Sequence, residues 1–310
     1  MLSIIIPSYN EEENVTNTAN VVVGIMEQNQ IDFELIFIND GSTDNTWEKL
    51  KELSHNDKRI ISINFSRNFG KESAIYAGLA NVSGDCAVLM DCDLQHPPET
   101  IVEMYSIWKN NDVDVVEGIK ADRGKEKKAY RGFAKLFYKL IHKASGIDMA
   151  DSSDFKLLDR KVVESLNAMP ERLTFFRALS SWVGFKTEKV YFEVAERHSG
   201  ESKFTIGTLI KYAFSSITSF TNLPMQIVTG CGVVIFLLAL IMGVNTLYNY
   251  ITGNSDAGFT TVILLILLTS SILMVSLGII GYYLSKIYDE IKHRPRFIIR
   301  DIENSKRDKK

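Results

Sequence analysis

The amino-acid sequence predicts an α/β fold, a mainly parallel sheet covered by helices, followed by a two-helix transmembrane hairpin. Three observations carry that reading. Short β-branched runs alternate with amphipathic stretches up to about Gly118, and one run leads into Asp91-Cys92-Asp93-Leu94-Gln95-His96-Pro97-Pro98-Glu99. Two long, nearly uncharged apolar stretches follow much later. Strict strand–helix alternation favours parallel strands, because each parallel return needs a crossover that packs on the sheet.

Leu2 to Ile6 reads as the first strand; it is too short for a signal peptide and ends at Pro7. Phe33 to Ile38, Ile60 to Phe65, Cys86 to Met90 and Val113 to Val116 read as the strands that follow. Between them Glu12 to Gln28, Asp44 to Leu53, Lys71 to Ala80 and Pro98 to Lys109 read as helices, with Asp44 as a cap. Ligands of such a sheet gather beyond the carboxyl ends of its strands. That rule selects Pro7-Ser8-Tyr9-Asn10-Glu11, Asn39-Asp40-Gly41-Ser42, Ser66-Arg67-Asn68-Phe69-Gly70-Lys71 and the Asp91 segment. Each has a plainer reading alone: Tyr9 as packing over the sheet edge, Asp40-Gly41 as a turn, Gly70 as a tight backbone. Together they suit a nucleotide, which needs base, ribose and phosphate contacts from different loops of one crevice.

Asp91 and Asp93 leave a strand one residue apart, followed by Gln95 and a proline pair that stops the strand. One or two carboxylates, completed by water and phosphate oxygens, suit Mg2+ or Mn2+. The competing reading is a pair of turn formers or helix caps. Farther on, Ala129 to Leu140 spaces apolar and aromatic residues helically with bases between them, fitting an interfacial helix or a surface helix on the sheet. Asp151-Ser152-Ser153-Asp154-Phe155 leads into a further strand, Lys156 to Leu158, and Phe204 to Phe220 reads as a second interfacial helix.

Gln226 to Tyr248 and Phe259 to Leu284 are each long enough, at ~1.5 Å per residue, to span a hydrocarbon core of ~30 Å. The polar turn Thr252 to Gly258 makes them an antiparallel hairpin. Lys203 and Lys211 precede the pair, and Lys286, Lys292, Arg294, Arg296 and Arg300 follow it, which places both ends on the cytoplasmic side. The expected domains are therefore a cytosolic catalytic part (1–202), a juxtamembrane helix (203–222), the two spans (223–285) and a basic cytosolic tail (286–310). The net charge of −3 hides acidic dominance in the first hundred residues and basic blocks at Gly124 to Lys143 and after Leu284, suited to anionic headgroups. Cys86, Cys92 and Cys231 show neither metal-ligand spacing nor a disulfide framework, in keeping with a reducing cytosol.

The segments Ile5 to Glu11, Asn39 to Asp44, Ser66 to Glu72 and Asp91 to Glu99 resemble family 2 glycosyltransferases of the GT-A fold, which act on nucleotide-diphospho-sugars. Within them the chain is most similar to the polyprenyl-phosphate branch, dolichyl-phosphate mannose synthases and bactoprenol glucosyltransferases. The similarity extends through Asp151 to Lys161, Arg197 to Lys203 and both spans. It implies that Pro7, Tyr9, Glu11 and Asp40 hold the base and ribose, with Asp40 accepting from the base. It also implies that Arg67, Asn68 and Lys71 line the donor crevice. Asp91 would lie near the ribose or sugar, Asp93 with Gln95 and Asp91 would hold the metal, and Asp154 would lie at the reacting centre as base or orienter. Arg123, Arg131, Arg197 and Lys203 would clamp a lipid phosphate. Asn39 departs from the family's usual Asp-Asp-Gly-Ser.

The resemblance thus implies inverting transfer from a UDP-linked glucose or N-acetylhexosamine to undecaprenyl phosphate at the inner membrane face, for cell-envelope glycosylation. A separate flippase would move the product outward; a homo-oligomer is left open, and nucleic acid is not an expected partner. The rival readings are a non-catalytic GT-A scaffold, a membrane-linked nucleotidyltransferase and a processive polysaccharide synthase. The last is disfavoured because Arg172 to Trp182 lacks the Gln-x-x-Arg-Trp order.

Overall fold

The computed structural model describes residues 1–121, 153–169, 175–193, 223–253 and 258–304. Two compact units emerge, Met1–Phe204 with Pro295–Lys310, and Thr205–Arg294. In the first, the described elements begin β1 (Leu2–Ser8), α1 (Val15–Gln28), β2 (Phe33–Asn39), α2 (Thr46–Asn56), β3 (Ile60–Phe65) and α3 (Lys71–Asn81). They continue β4 (Cys86–Leu89), α4 (Pro98–Asn110), β5 (Val115–Lys120), β6 (Lys156–Asp159), α5 (Arg160–Ala168), α6 (Phe176–Trp182) and β7 (Thr187–Phe192). The second unit holds α7 (Leu223–Ile251) and α8 (Phe259–Ile291), after which β8 (Ile299–Glu303) returns to the first.

The sheet order is β7-β5-β6-β4-β1-β2-β3-β8. Its centre, β4-β1-β2-β3, is parallel. Every residue of these strands except Pro7 is buried, as expected of strands covered on both faces. α1 buries Val15, Thr18, Ala19, Val22 and Met26, spaced three and four apart, so one stripe faces the sheet. Leu2, Ile4, Ile6, Leu35 and Phe37 meet that stripe in one core with Leu50 of α2 and Ile101 of α4. β6 lies antiparallel between β4 and β5, and β8 lies antiparallel on β3.

Strand order reverses between β1 and β4, and there a crevice opens. The Ile5 carbonyl accepts from Met90 N–H, whereas the Ser8 carbonyl accepts from Asp40 N–H. Alternation therefore turns the donor-less nitrogen of Pro7 toward β4, just past the last paired residues, Ile5 and Leu89. Proline there costs the ladder no bond and marks where the strands part.

Several boundaries move from those read in the sequence. α1 starts at Val15 rather than Glu12, because the Glu11 carbonyl closes a turn with the N–H groups of Asn14 and Val15. β5 sits at Val115–Lys120, later than Val113 to Val116. Asp44 caps α2 from one place outside its N-cap Asn45, accepting from Thr46 N–H at 3.0 Å and Thr46 hydroxyl at 2.6 Å. β7 and β8 are additions, and β8 lies inside the stretch read as a basic tail. The two predicted interfacial helices lie outside the described residues.

In the second unit α7 and α8 pack against each other. Mean hydropathy is 2.3 over Val228–Asn245 and 1.5 over Leu268–Ile291, so both helices are long and apolar enough to cross a membrane. Phe236, Ile241, Leu273 and Met274 stand exposed along them. α8 runs past the predicted end at Leu284 and takes in Lys286, Asp289 and Glu290.

Candidate active site

The loops after β1 and β2 are laced together. Asn10 N–H donates to Ser42 Oγ at 2.9 Å, Asn10 Oδ1 accepts from Thr43 N–H at 2.9 Å, and Glu11 N–H donates to Thr46 Oγ1 at 2.9 Å. Tyr9 is left 42% exposed at the rim, while Glu11 accepts from Asn14 Nδ2 at 2.6 Å. Asn39 donates to Asn64 Oδ1 at 2.8 Å and accepts from Ser42 N–H at 3.3 Å. An aspartate could not make the first bond, which gives the departure at this position a structural reason.

Asp40 is buried and accepts from Phe69 N–H at 2.6 Å and Gly70 N–H at 2.9 Å. Burial pushes its carboxyl up, and those two N–H groups oppose the shift. Asp40 therefore clamps the loop that carries Arg67 and Asn68. Gly41, at φ +63°, lets the loops touch: a Cβ there would lie 2.3 Å from the Arg67 carbonyl carbon.

Lys71, first residue of α3, reaches Asp91 Oδ1 at 2.5 Å and Asp154 Oδ2 at 3.2 Å. Arg177 of α6 closes on Asp154 from the other side, Nε to Oδ1 at 2.7 Å and Nη2 to Oδ2 at 2.9 Å, a bidentate pair. Pro7, Lys71, Asp91, His96 and Asp154 line one narrow cleft. Burial works against the Asp154 charge, but Lys71 and Arg177 outweigh it and hold the carboxyl well below the usual range. Asp91 is likewise lowered, by Lys71 and then His96 against burial. The Lys71 ammonium, 45% exposed and partly desolvated, is held above the ordinary lysine range because both carboxylates outweigh burial.

The loop after β4 is fixed by buried groups. His96 Nδ1 accepts from Asp91 N–H at 3.2 Å, and its ring stacks on Phe155 at 4.6 Å. Burial, the largest influence, keeps His96 below its usual pKa and so neutral, the state that this acceptor role needs. Thr18 hydroxyl donates to the Cys92 carbonyl at 2.6 Å, and Asp93 Oδ1 accepts from Gln95 N–H at 3.1 Å around Leu94 at φ +57°. Among the described residues no three His, Cys, Asp or Glu side chains form a metal cage. Asp93, Asp91 and Gln95 instead offer a few oxygen donors, the kind of set that fits Mg2+ or Mn2+ completed by phosphate and water rather than a soft metal.

The structure thus gathers Pro7, Lys71, Asp91 and Asp154 in one cleft, with the Asp40–Arg67–Asn68 loop pair formed beside them. Arg123, Arg131, Arg197 and Lys203 lie outside the described residues. Sequence reasoning missed Arg177, His96 and Glu72. Glu72 accepts from Phe176 N–H at 2.8 Å, tying α3 to α6, and burial pushes its carboxyl up to about 7. His96 and Glu72 lay within the motifs, but Arg177 carries no local signal.

A doubly wound sheet whose switch-point loops present paired carboxylates and bases is the frame of a crevice for a charged ligand. Residues 3–166 match the family described as Glycosyl transferase family 2, and the chain belongs to that family. It is 36% identical over 304 residues to the prophage bactoprenol glucosyl transferase homolog of Escherichia coli, covering 97% of this chain and 99% of that protein. It is 34% identical over 302 residues to the bactoprenol glucosyl transferase of Shigella phage SfV, covering 97% and 98%. An uncharacterized glycosyltransferase of Bacillus subtilis, YkcC, is 37% identical over 315 residues, covering 98% and 95%. Among solved structures, glucosyl-3-phosphoglycerate synthase from Mycobacterium tuberculosis, crystallised with Mn2+, UDP and phosphoglyceric acid, is 18% identical with a TM-score of 0.49, covering 70% and 78%.

Proposed function

We propose that this protein transfers a single hexose or N-acetylhexosamine from a UDP-sugar to undecaprenyl phosphate at the cytoplasmic membrane face, with inversion. The observation that carries the reading is the Lys71–Asp91–Asp154–Arg177 cluster at the β1/β4 switch point, in a chain that aligns nearly end to end with bactoprenol glucosyl transferases. The two apolar helices suit an acceptor that stays in the bilayer, and the basic residues around them suit a cytoplasmic placement of both ends. A separate protein would then flip the product, since two spans leave little room for a route across.

In this scheme Tyr9, Glu11 and the Asp40-braced loop receive base and ribose, and Asp93 with Gln95 and Asp91 would hold a divalent cation. That cation, when bound, offsets the charge growing on the departing diphosphate. Lys71 bridges Asp91 on the donor side to Asp154 on the acceptor side, which fixes the spacing of the two partners. The attacking lipid phosphate is already an anion. Asp154, ionised and held by two cations, is a poor proton acceptor and acts as an orienting charge. Arg123, Arg131, Arg197 and Lys203 are assigned to the acceptor phosphate.

The test incubates membranes carrying the protein with undecaprenyl phosphate, Mg2+ or Mn2+ and a panel of sugar nucleotides, then weighs the lipid. One added sugar per lipid phosphate, lost in Asp93→Ala, is expected. A polymer, diphosphate release from a nucleoside triphosphate, or no lipid product would overturn the reading.

A further inference from the structure

Four residues beyond the end of α8, at Pro295, the chain re-enters the first unit and embraces the loop between β3 and α3. Arg296 fastens the helix side: its guanidinium donates to the Met169 carbonyl at 2.6 Å and lies 4.5 Å over the Tyr76 ring, and its carbonyl accepts from Ser73 hydroxyl at 3.3 Å. On the strand side, the Ile298 carbonyl accepts from Ser66 N–H at 3.0 Å, and β8 pairs with β3. Between these anchors Phe297 stacks on Phe65, with centroids 5.2 Å apart and planes 10° apart. Phe65 in turn meets Phe69 edge-on at 5.7 Å, and the Arg67 guanidinium lies 4.9 Å over the Phe69 ring. The Phe69 backbone is the group that Asp40 clamps.

We propose that Pro295–Asn304 is a positioning strap for the nucleotide-donor loop, in which Phe297 sets Phe65 and Phe69 and thereby holds Arg67, Asn68 and Lys71. This rests on the donor reading of that loop given above. Covering an edge strand requires only the pairing of β8. Phe297 lies outside that pairing, against the last residue of β3, where its ring supports the floor of the loop. Arg296, read in the sequence as a basic membrane flank, is committed to the same task. The segment that leaves the apolar helices is therefore part of the donor site's frame.

The experiment measures UDP binding with Mg2+ by calorimetry on the full chain in detergent, alongside donor KM, kcat and melting temperature. Phe297→Ala is expected to weaken UDP and raise donor KM about tenfold, with kcat at saturating donor changed less than about twofold. Phe297→Tyr restores both. Ile302→Ala, in the same strap but on β8 and away from the loop, lowers the melting temperature and leaves UDP affinity unchanged. Unaltered UDP affinity in Phe297→Ala overturns the proposal, as does an equal loss of affinity in Ile302→Ala at the same loss of melting temperature. If the unaltered chain binds no nucleoside diphosphate, the donor reading itself falls and takes the strap with it.

Discussion

Replacing Arg177 isolates what Asp154 does. Two guanidinium bonds, at 2.7 and 2.9 Å, reach a carboxylate that is 12% exposed, and among the described residues Lys71 shares it at 3.2 Å. Charge-assisted bonds contribute roughly 1.5–3 kcal/mol each, but Arg177 is 35% exposed and water competes for it, so truncation costs about 2–3 kcal/mol in total. If that holding is needed as acceptor meets donor, Arg177→Ala lowers kcat/KM by about 30- to 150-fold, and Arg177→Lys, with one donor point, by about tenfold. The pH dependence adds a second readout. Asp154 lies well below the usual carboxyl range, so its stabilising pairs are intact above the ordinary carboxyl pKa and are lost only as pH falls through the depressed value. Without Arg177 that value rises, and an acid limb in the kcat/KM profile moves toward neutral pH. The assay is single-sugar transfer to undecaprenyl phosphate in mixed micelles, from pH 4.5 to 8. An Arg177→Ala enzyme within twofold of the parent, with no acid limb entering this window, refutes the idea that this pair holds Asp154 for the reaction.

Asp93→Ala should abolish transfer while leaving the melting temperature within a degree or two, and excess chelator should do the same to the parent; turnover that survives both removes the metal assignment. Glu72, raised from 4.5 to about 7, favours the folded state when protonated, so stability declines as pH rises between those values. The decline amounts to about 3 kcal/mol, and Glu72→Gln should flatten it; parallel stability–pH curves for parent and variant would contradict this. Gly41→Ala forces a Cβ within 2.3 Å of the Arg67 backbone at φ +63° and should cost at least about 2 kcal/mol, seen as a lower melting temperature with weakened UDP binding. Normal stability in that variant would mean that the two loops are not pressed together.

The parallel half of the sheet was legible because its strands are buried on both faces, so runs such as Ile4 to Ile6 and Leu35 to Ile38 appear as unbroken apolar stretches. The switch-point loops were legible for the complementary reason: polar and turn-forming residues cluster directly after those runs. β7 and β8 were not, since edge strands bear solvent on one side; Thr187-Glu188-Lys189 and Arg300-Asp301 look like any charged surface segment. Arg177 was invisible for a different reason. It sits on a seven-residue helix of unremarkable composition, and tertiary contacts bring it against Asp154: the Glu72 bond to Phe176 N–H, the Lys156 ammonium's bond to Ser180 Oγ at 2.9 Å and the insertion of β6 beside β4. Lys71, by contrast, was selected because it ends a motif, although its partners lie 20 and 83 residues away.

The charges of the described cluster constrain what can bind there. Lys71 and Arg177 balance Asp91 and Asp154, so these four groups carry no net charge, and Asp93 adds a negative one nearby. A nucleotide diphosphate and a lipid phosphate would each bring further negative charge into a partly desolvated cleft, where like charges repel more strongly than in water. The pairs already present cannot supply the balance, because a base that turned to the ligand would strand its own carboxylate. On the proposed reading the deficit is met from outside the cluster, by a divalent cation that Asp93 would help hold on the donor side and by additional bases on the acceptor side. On this argument Arg123, Arg131, Arg197 and Lys203 are the residues whose removal should raise the KM for lipid phosphate without changing that for the sugar nucleotide. An equal rise in both would show that the two substrates share one pool of positive charge.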